Sequence, residues 1–93
     1  MALHFVWDAR KAAANERKHG VSFREGTTVF DDPLSVAIPD PDHSAGEQRF
    51  LLLGLSHRNR LLVVAHAERG EAIRIISVRA ATPRERRTYE EDS

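Results

Sequence analysis

Three apolar runs in the second half of the chain constrain its fold more than any other feature. They cover residues 49–56, 61–67 and 72–78. His57-Arg58-Asn59-Arg60 and Glu68-Arg69-Gly70-Glu71 separate them, both polar and both of hairpin length. Strands that follow one another through turns this short must pair antiparallel. The first two runs are almost unbroken in apolar residues, so both of their faces need cover.

The first half supplies that cover. His4 to Trp7 is a short, aromatic-rich first strand. Asp8 is an N-cap for a helix over residues 9–18, which holds four alanines and several long straight side chains. Lys18 and His19 bring positive charge to its carboxyl end, and Gly20 supplies the left-handed stop. Ser22 and Glu25 have the spacing of a capping box for a second helix reaching about Phe30, which Asp31-Asp32-Pro33 ends. Leu34 to Ile38 is a candidate strand, and Pro39-Asp40-Pro41-Asp42 is an exposed turn that should not pair in a sheet. Near the end, Thr82-Pro83-Arg84-Glu85 starts a last helix that carries little apolar material besides Tyr89 and should dock weakly. The order is strand, helix, helix, four strands, helix. It predicts an α+β fold with two helices on one face of an antiparallel sheet, in a single domain over residues 1–93.

Composition narrows the function classes. No apolar run is long enough to span a bilayer, no basic segment followed by a sustained apolar stretch opens the chain, and there is no cysteine. These features suit a reducing, cytoplasmic setting. The formal net charge is zero, yet between Asp31 and Gln48 there are five carboxylates and no Lys or Arg. The rest of the chain therefore carries an excess of five positive charges. Such asymmetry allows a basic face for a polyanion or, as readily, an acidic solvated loop beside a mixed surface.

No metal motif, phosphate loop or nucleophile elbow is present: His4, His19, His43, His57 and His66 lack ligand spacing. What remains is the placement of arginines. Arg74 and Arg79 bracket Ile75-Ile76-Ser77-Val78, and on a regular strand they must point to opposite faces. A guanidinium on a sheet face needs a carboxylate, for which Glu47 is a candidate, or a phosphate. Chemistry at a phosphate without a metal needs a cation for the crowded phosphorus, which arginine suits, and proton transfer, which histidine suits. His66, midway along an apolar strand, reads as a core residue rather than a catalyst. Trp7 and Tyr89 can each stack on a base or pack inward. Lys18 reads first as a helix-end charge.

Two groups of residues then carry a resemblance. Phe5-Val6-Trp7-Asp8, Asn15 and Lys18-His19-Gly20-Val21-Ser22-Phe23 form one. Arg74-Ile75-Ile76-Ser77-Val78-Arg79, Glu85-Arg86 and Tyr89-Glu90 form the other, with His43-Ser44, Glu47 and Arg49 between them. Together they resemble the BrnT family, toxins of type II toxin–antitoxin pairs with a RelE-like ribonuclease fold. The resemblance implies metal-independent endoribonuclease activity with no cofactor. It also implies silencing by a BrnA-like ribbon-helix-helix antitoxin, through which alone operator DNA is contacted. Carried over residue by residue, the implied catalytic set is Arg74, Arg79, Lys18, His19 and Tyr89, with Trp7 and Arg49 binding RNA. No general base transfers. The alternative is a non-catalytic binding module that engages an antitoxin-like repressor and tunes transcription.

Overall fold

The computed structural model describes residues 3–40 and 48–92. Pro41, Asp42, His43, Ser44 and Glu47 lie outside the described residues, and with them the proposed Glu47 pairing. Strand β1 (His4–Val6) leads into helix α1 (Ala9–His19). The Asp8 carboxylate accepts from the N–H groups of Arg10 and Lys11 at 2.8 and 3.0 Å, and Gly20 ends the helix at φ 71°. Helix α2 (Phe23–Thr27) passes into a 3-10 turn, Thr28–Asp31. Then come β2 (Val36–Pro39), β3 (Arg49–Leu55), β4 (Leu61–Arg69), β5 (Ala72–Ala80) and α3 (Pro83–Asp92).

The five strands form one sheet in the order β1-β5-β4-β3-β2. The runs pair as antiparallel hairpins, as their spacing requires, but β1 joins β5 parallel, so the sheet is mixed rather than antiparallel throughout. β1 reaches only Ala72 to Arg74. Beyond it the exposed backbone of β5 is met by a side chain: Asn15 donates to the Val78 carbonyl at 2.9 Å and accepts from the Val78 N–H at 3.1 Å. A third bond from Asn15 to the Val21 carbonyl ties α1 to the start of α2. One amide thus replaces a missing stretch of strand and satisfies backbone groups that burial would otherwise strand.

Helices α1 and α2 cover one face. There Leu62, Val64, Ile75 and Val78 of the sheet pack with Val21, Phe23 and Val29. Gly26 of α2 touches the sheet so closely that a Cβ would fall 2.5 Å from a Val78 methyl. On the opposite face a smaller cluster joins Leu53, Leu61, Val63 and Tyr89 of α3.

Three further expectations are corrected. The Ser22 hydroxyl caps α2 by accepting from the Glu25 N–H, but the Glu25 carboxylate does not complete a box there. It takes Arg60 Nε at 2.9 Å and the Ser56 hydroxyl at 2.7 Å, a long-range pair that closes the β3–β4 turn onto α2. The second strand starts later than Leu34 and includes Pro39 opposite Phe50, tolerable because β2 is an edge strand where a missing N–H breaks no inner ladder. Finally α3 is anchored rather than loosely docked. Tyr89 is buried, and its hydroxyl donates to Asp32 at 2.7 Å.

Candidate functional site

Residues directly opposite one another in an antiparallel pair share a face. In the β4–β5 ladder Val63 opposes Arg79 and Ala65 opposes Ser77, but His66 then opposes Ile75 and Ala67 opposes Arg74. Ile76 has no opposite number, so β5 carries a bulge. The extra residue reverses the alternation between Ser77 and Ile75. Arg74 and Arg79 therefore lie on one face, against the expectation for a regular strand. Arg49 opposes Ala67 from the other side and joins them.

The face can be read in rows across β3, β4 and β5: Arg49–Ala67–Arg74, Leu51–Ala65–Ser77 and Leu53–Val63–Arg79. Small side chains fill the middle of the first two rows, arginines stand on both sides of the first, and Arg79 stands at one end of the third. In the first row the flanking arginines are two strand spacings apart, about 10 Å between backbones. Large neighbours around small ones leave a hollow of about 280 Å³, lined by Asp40, Arg49, Leu51, Ala65, Ile76, Ser77 and Arg79. It lies on the face away from α1 and α2.

Arg79 is held at the border of this hollow and α3. Its Nη1 and Nη2 donate to the two oxygens of Glu85 at 2.8 and 2.9 Å. The Glu85 carboxylate beside it raises the Arg79 pKa, and the guanidinium holds the Glu85 carboxyl down at about 2. The same carboxylate accepts from the Thr82 N–H at 2.9 Å, while the Glu85 N–H donates to the Thr82 hydroxyl. At the helix start expected over Thr82-Pro83-Arg84-Glu85 these two bonds make a complete capping box.

The structure brings together Arg49, Arg74 and Arg79 and leaves the other sequence candidates elsewhere. Trp7 packs edge-on against Phe23, ring centres 6.0 Å apart, in the helix-side core. Lys18 and His19 close the last turn of α1, on the helix side of the sheet. Tyr89 is turned inward, and burial, with the bond to Asp32 second, raises its phenol to about 12. His66 is the core residue its position implied. It sits between Phe30 and Phe50 with its Nδ1 facing the Val64 carbonyl, and burial lowers its pKa. Glu85 was not among the sequence candidates. Its capping-box position was visible, but its proximity to Arg79 depends on how the chain turns after β5.

The family model described as "Ribonuclease toxin, BrnT, of type II toxin-antitoxin system" matches residues 7–85, most of the chain, from just after β1 to the first turn of α3. The chain belongs to the BrnT ribonuclease toxin family. Among solved structures it resembles the 1.1 Å crystal structure of the Brucella abortus ribonuclease toxin BrnT. The TM-score is 0.67 at 23% identity, over 87% of this chain and 99% of that one. At that identity the likeness speaks to the α+β fold. No curated protein sequence matches. As a BrnT toxin of a type II pair, the chain has an antitoxin as its partner. No helix among the described residues is long and apolar enough to cross a membrane.

Proposed function

We propose that this BrnT chain is an endoribonuclease that cuts RNA without a metal ion, and that the arginine-bordered hollow is where the scissile phosphate lies. The observation that carries the reading is the shared orientation of Arg49, Arg74 and Arg79, produced by the bulge at Ile76. In such cleavage the ribose 2′-oxygen attacks phosphorus, its proton passes to a base, and the bond to the 5′-oxygen breaks as that oxygen is protonated. Negative charge grows on the non-bridging oxygens in between. Guanidinium groups fixed around a small-residue floor stabilise that charge more in the transition state than in the bound substrate. Arg79, which lines the hollow, and Arg74, which stands on the same face outside its lining, take this role, and Arg49 binds an adjoining phosphate. Trp7, Lys18 and His19, on the far side of the sheet, take no part in the chemistry, and Tyr89 serves as an anchor for α3.

In this reading a BrnA-like ribbon-helix-helix antitoxin silences the enzyme by covering the same basic face, in the cytoplasm, and any operator DNA is bound by the antitoxin. The test is direct. Purified wild-type chain should cleave single-stranded RNA in excess EDTA, Arg74→Ala and Arg79→Ala should not, and equimolar antitoxin should stop the reaction. Cleavage that EDTA abolishes would remove the metal-free mechanism. A folded wild-type chain that binds the antitoxin yet leaves RNA intact would favour the binding-module alternative.

A further inference from the structure

We infer that Glu85 is a positioning residue for RNA cleavage: it grips one edge of the Arg79 guanidinium so that the other edge faces the hollow, ready for a phosphate. The inference rests on the proposed role of Arg79. It adds a residue from a different element and a reason for the ion pair.

The geometry comes first. A guanidinium has five N–H donors arranged in two forks, one formed by Nη1 and Nη2, the other by Nε and the outer hydrogen of Nη2. Glu85 occupies the first fork with both oxygens, and the second Nη1 hydrogen goes to the Ala80 carbonyl at 3.3 Å. Among the described residues nothing takes the second fork. Arg79 is also the more open of the two partners, its side chain 35% exposed against 18% for Glu85, and it lines the hollow. An ion pair built only for stability has no need to leave one complete fork of the cation without a protein acceptor on a residue that lines a cavity.

Glu85 is itself fixed. Its Oε1 is tied to the Thr82 N–H and its backbone N–H to the Thr82 hydroxyl, with Pro83 between them at the first helical position. The carboxylate therefore cannot follow Arg79 if the arginine swings away, and the arginine is held where the first turn of α3 puts it. Two features argue against Glu85 as the general base. Both of its oxygens are engaged, and its carboxyl is held at about 2, far below the range of an effective base near neutrality. It acts through Arg79. A long cation ordered before substrate arrives loses less rotamer freedom on binding, and a guanidinium misplaced by an ångström costs heavily in rate.

The experiment uses the full chain, a single-stranded RNA of mixed sequence and four variants. Arg79→Ala, Glu85→Ala, Glu85→Gln and Asp32→Ala are compared below their melting temperatures. Asp32→Ala frees the other anchor of α3 without touching the pair. Glu85→Ala should lower kcat/KM about 10- to 100-fold. Glu85→Gln, which keeps one acceptor, should fall between it and wild type, and Asp32→Ala should melt earlier yet stay within about threefold of wild-type rate. In ¹⁵N NMR the Arg79 Nη signals, separate in wild type because rotation is slow, should average in Glu85→Ala. Two results would overturn the inference: unchanged cleavage and unchanged Arg79 signals in Glu85→Ala, or an equal loss of rate in Asp32→Ala. If Arg79→Ala is inactive while Glu85→Ala is not, only this inference fails. If Arg79→Ala cleaves normally, the assignment of Arg79 fails first.

Discussion

The two faces of the sheet are made by the same strands and have opposite characters. Strand β4 shows the contrast residue by residue: Leu62, Val64 and His66 go to the helix side, Val63, Ala65 and Ala67 to the other. On the helix side these β4 positions are large, branched or aromatic, and the packing extends to Gly26, where even a methyl has no room. On the open side the side chains shrink to Ala65, Ala67 and Ser77 where arginines gather, and grow again at Leu53, Leu61 and Val63, where Tyr89 of α3 covers them. Size is thus spent on cohesion on one face and withheld on the other.

The largest effects should separate the faces cleanly. Arg79→Ala or Arg74→Ala should reduce RNA cleavage by a factor of about 100 or more while the melting temperature moves little, as measured by single-turnover kinetics and calorimetry. A melting loss as large as the kinetic one would mean that the open face is structural. Next, Gly26→Ala should do the reverse. Pushing a methyl into Val78 should cost about 1–3 kcal/mol in a denaturant titration, with cleavage preserved once the protein is folded. Ala65→Leu sharpens the comparison from the other direction, since it adds apolar bulk to a floor that has space above it. Stability should hold or rise slightly, and RNA affinity by fluorescence anisotropy should fall about tenfold as phosphates lose their approach. Tyr89→Phe removes one buried hydrogen bond to Asp32 and should cost about 1 kcal/mol, roughly 4–8 °C in melting temperature.

The smallest effect is a pH dependence that belongs mostly to the helix side. Buried His66 has a pKa below its ordinary value, so the unfolded chain takes up a proton that the folded one refuses, and stability declines as pH falls through the ordinary histidine value. Glu25 is held at about 2 by its hydrogen bonds to Arg60, against an ordinary 4.5. Its depressed value means that its contribution is fully present above 4.5 and is lost as pH falls from there towards 2. Glu85, on the open face, follows the same window through Arg79. Melting curves of Glu25→Gln should be flatter across that window, and unchanged slopes would show that the pair does not contribute to acid sensitivity.

What could be read in the sequence were the features decided by neighbours along the chain. Asp8, the alanines and Gly20 mark the limits of α1, and Thr82 with Glu85 marks the start of α3, because capping is settled within one turn. The same signature at Ser22 and Glu25 was half misleading, since the carboxylate answers to Arg60 on a distant hairpin. The parallel seat of β1 beside β5 is equally non-local, fixed by which edge stays open once the hairpins close. At the candidate site, Arg74 and Arg79 stood out by their placement on the last strand, and Arg49 through the family resemblance. Their common orientation did not, because nothing in Ile75-Ile76-Ser77 declares which residue the neighbouring strand will skip. Trp7, Lys18 and His19 share that resemblance and lie in the helix-side core and at the end of α1, because a signature read along the chain does not say which face of the sheet each residue will reach.

The bulge at Ile76 makes the common face of the two arginines a matter of parity. Arg74 and Arg79 are an odd number of positions apart in the chain and an even number apart on the sheet. Deleting one residue there would turn Arg74 into the apolar interior without altering a single cation. Conversely, a relative with its two arginines four or six positions apart on a smooth strand would display the same charges. Alignments that match such proteins column by column would pair residues that point in opposite directions, and the strand's ladder, rather than its letters, is the proper ruler.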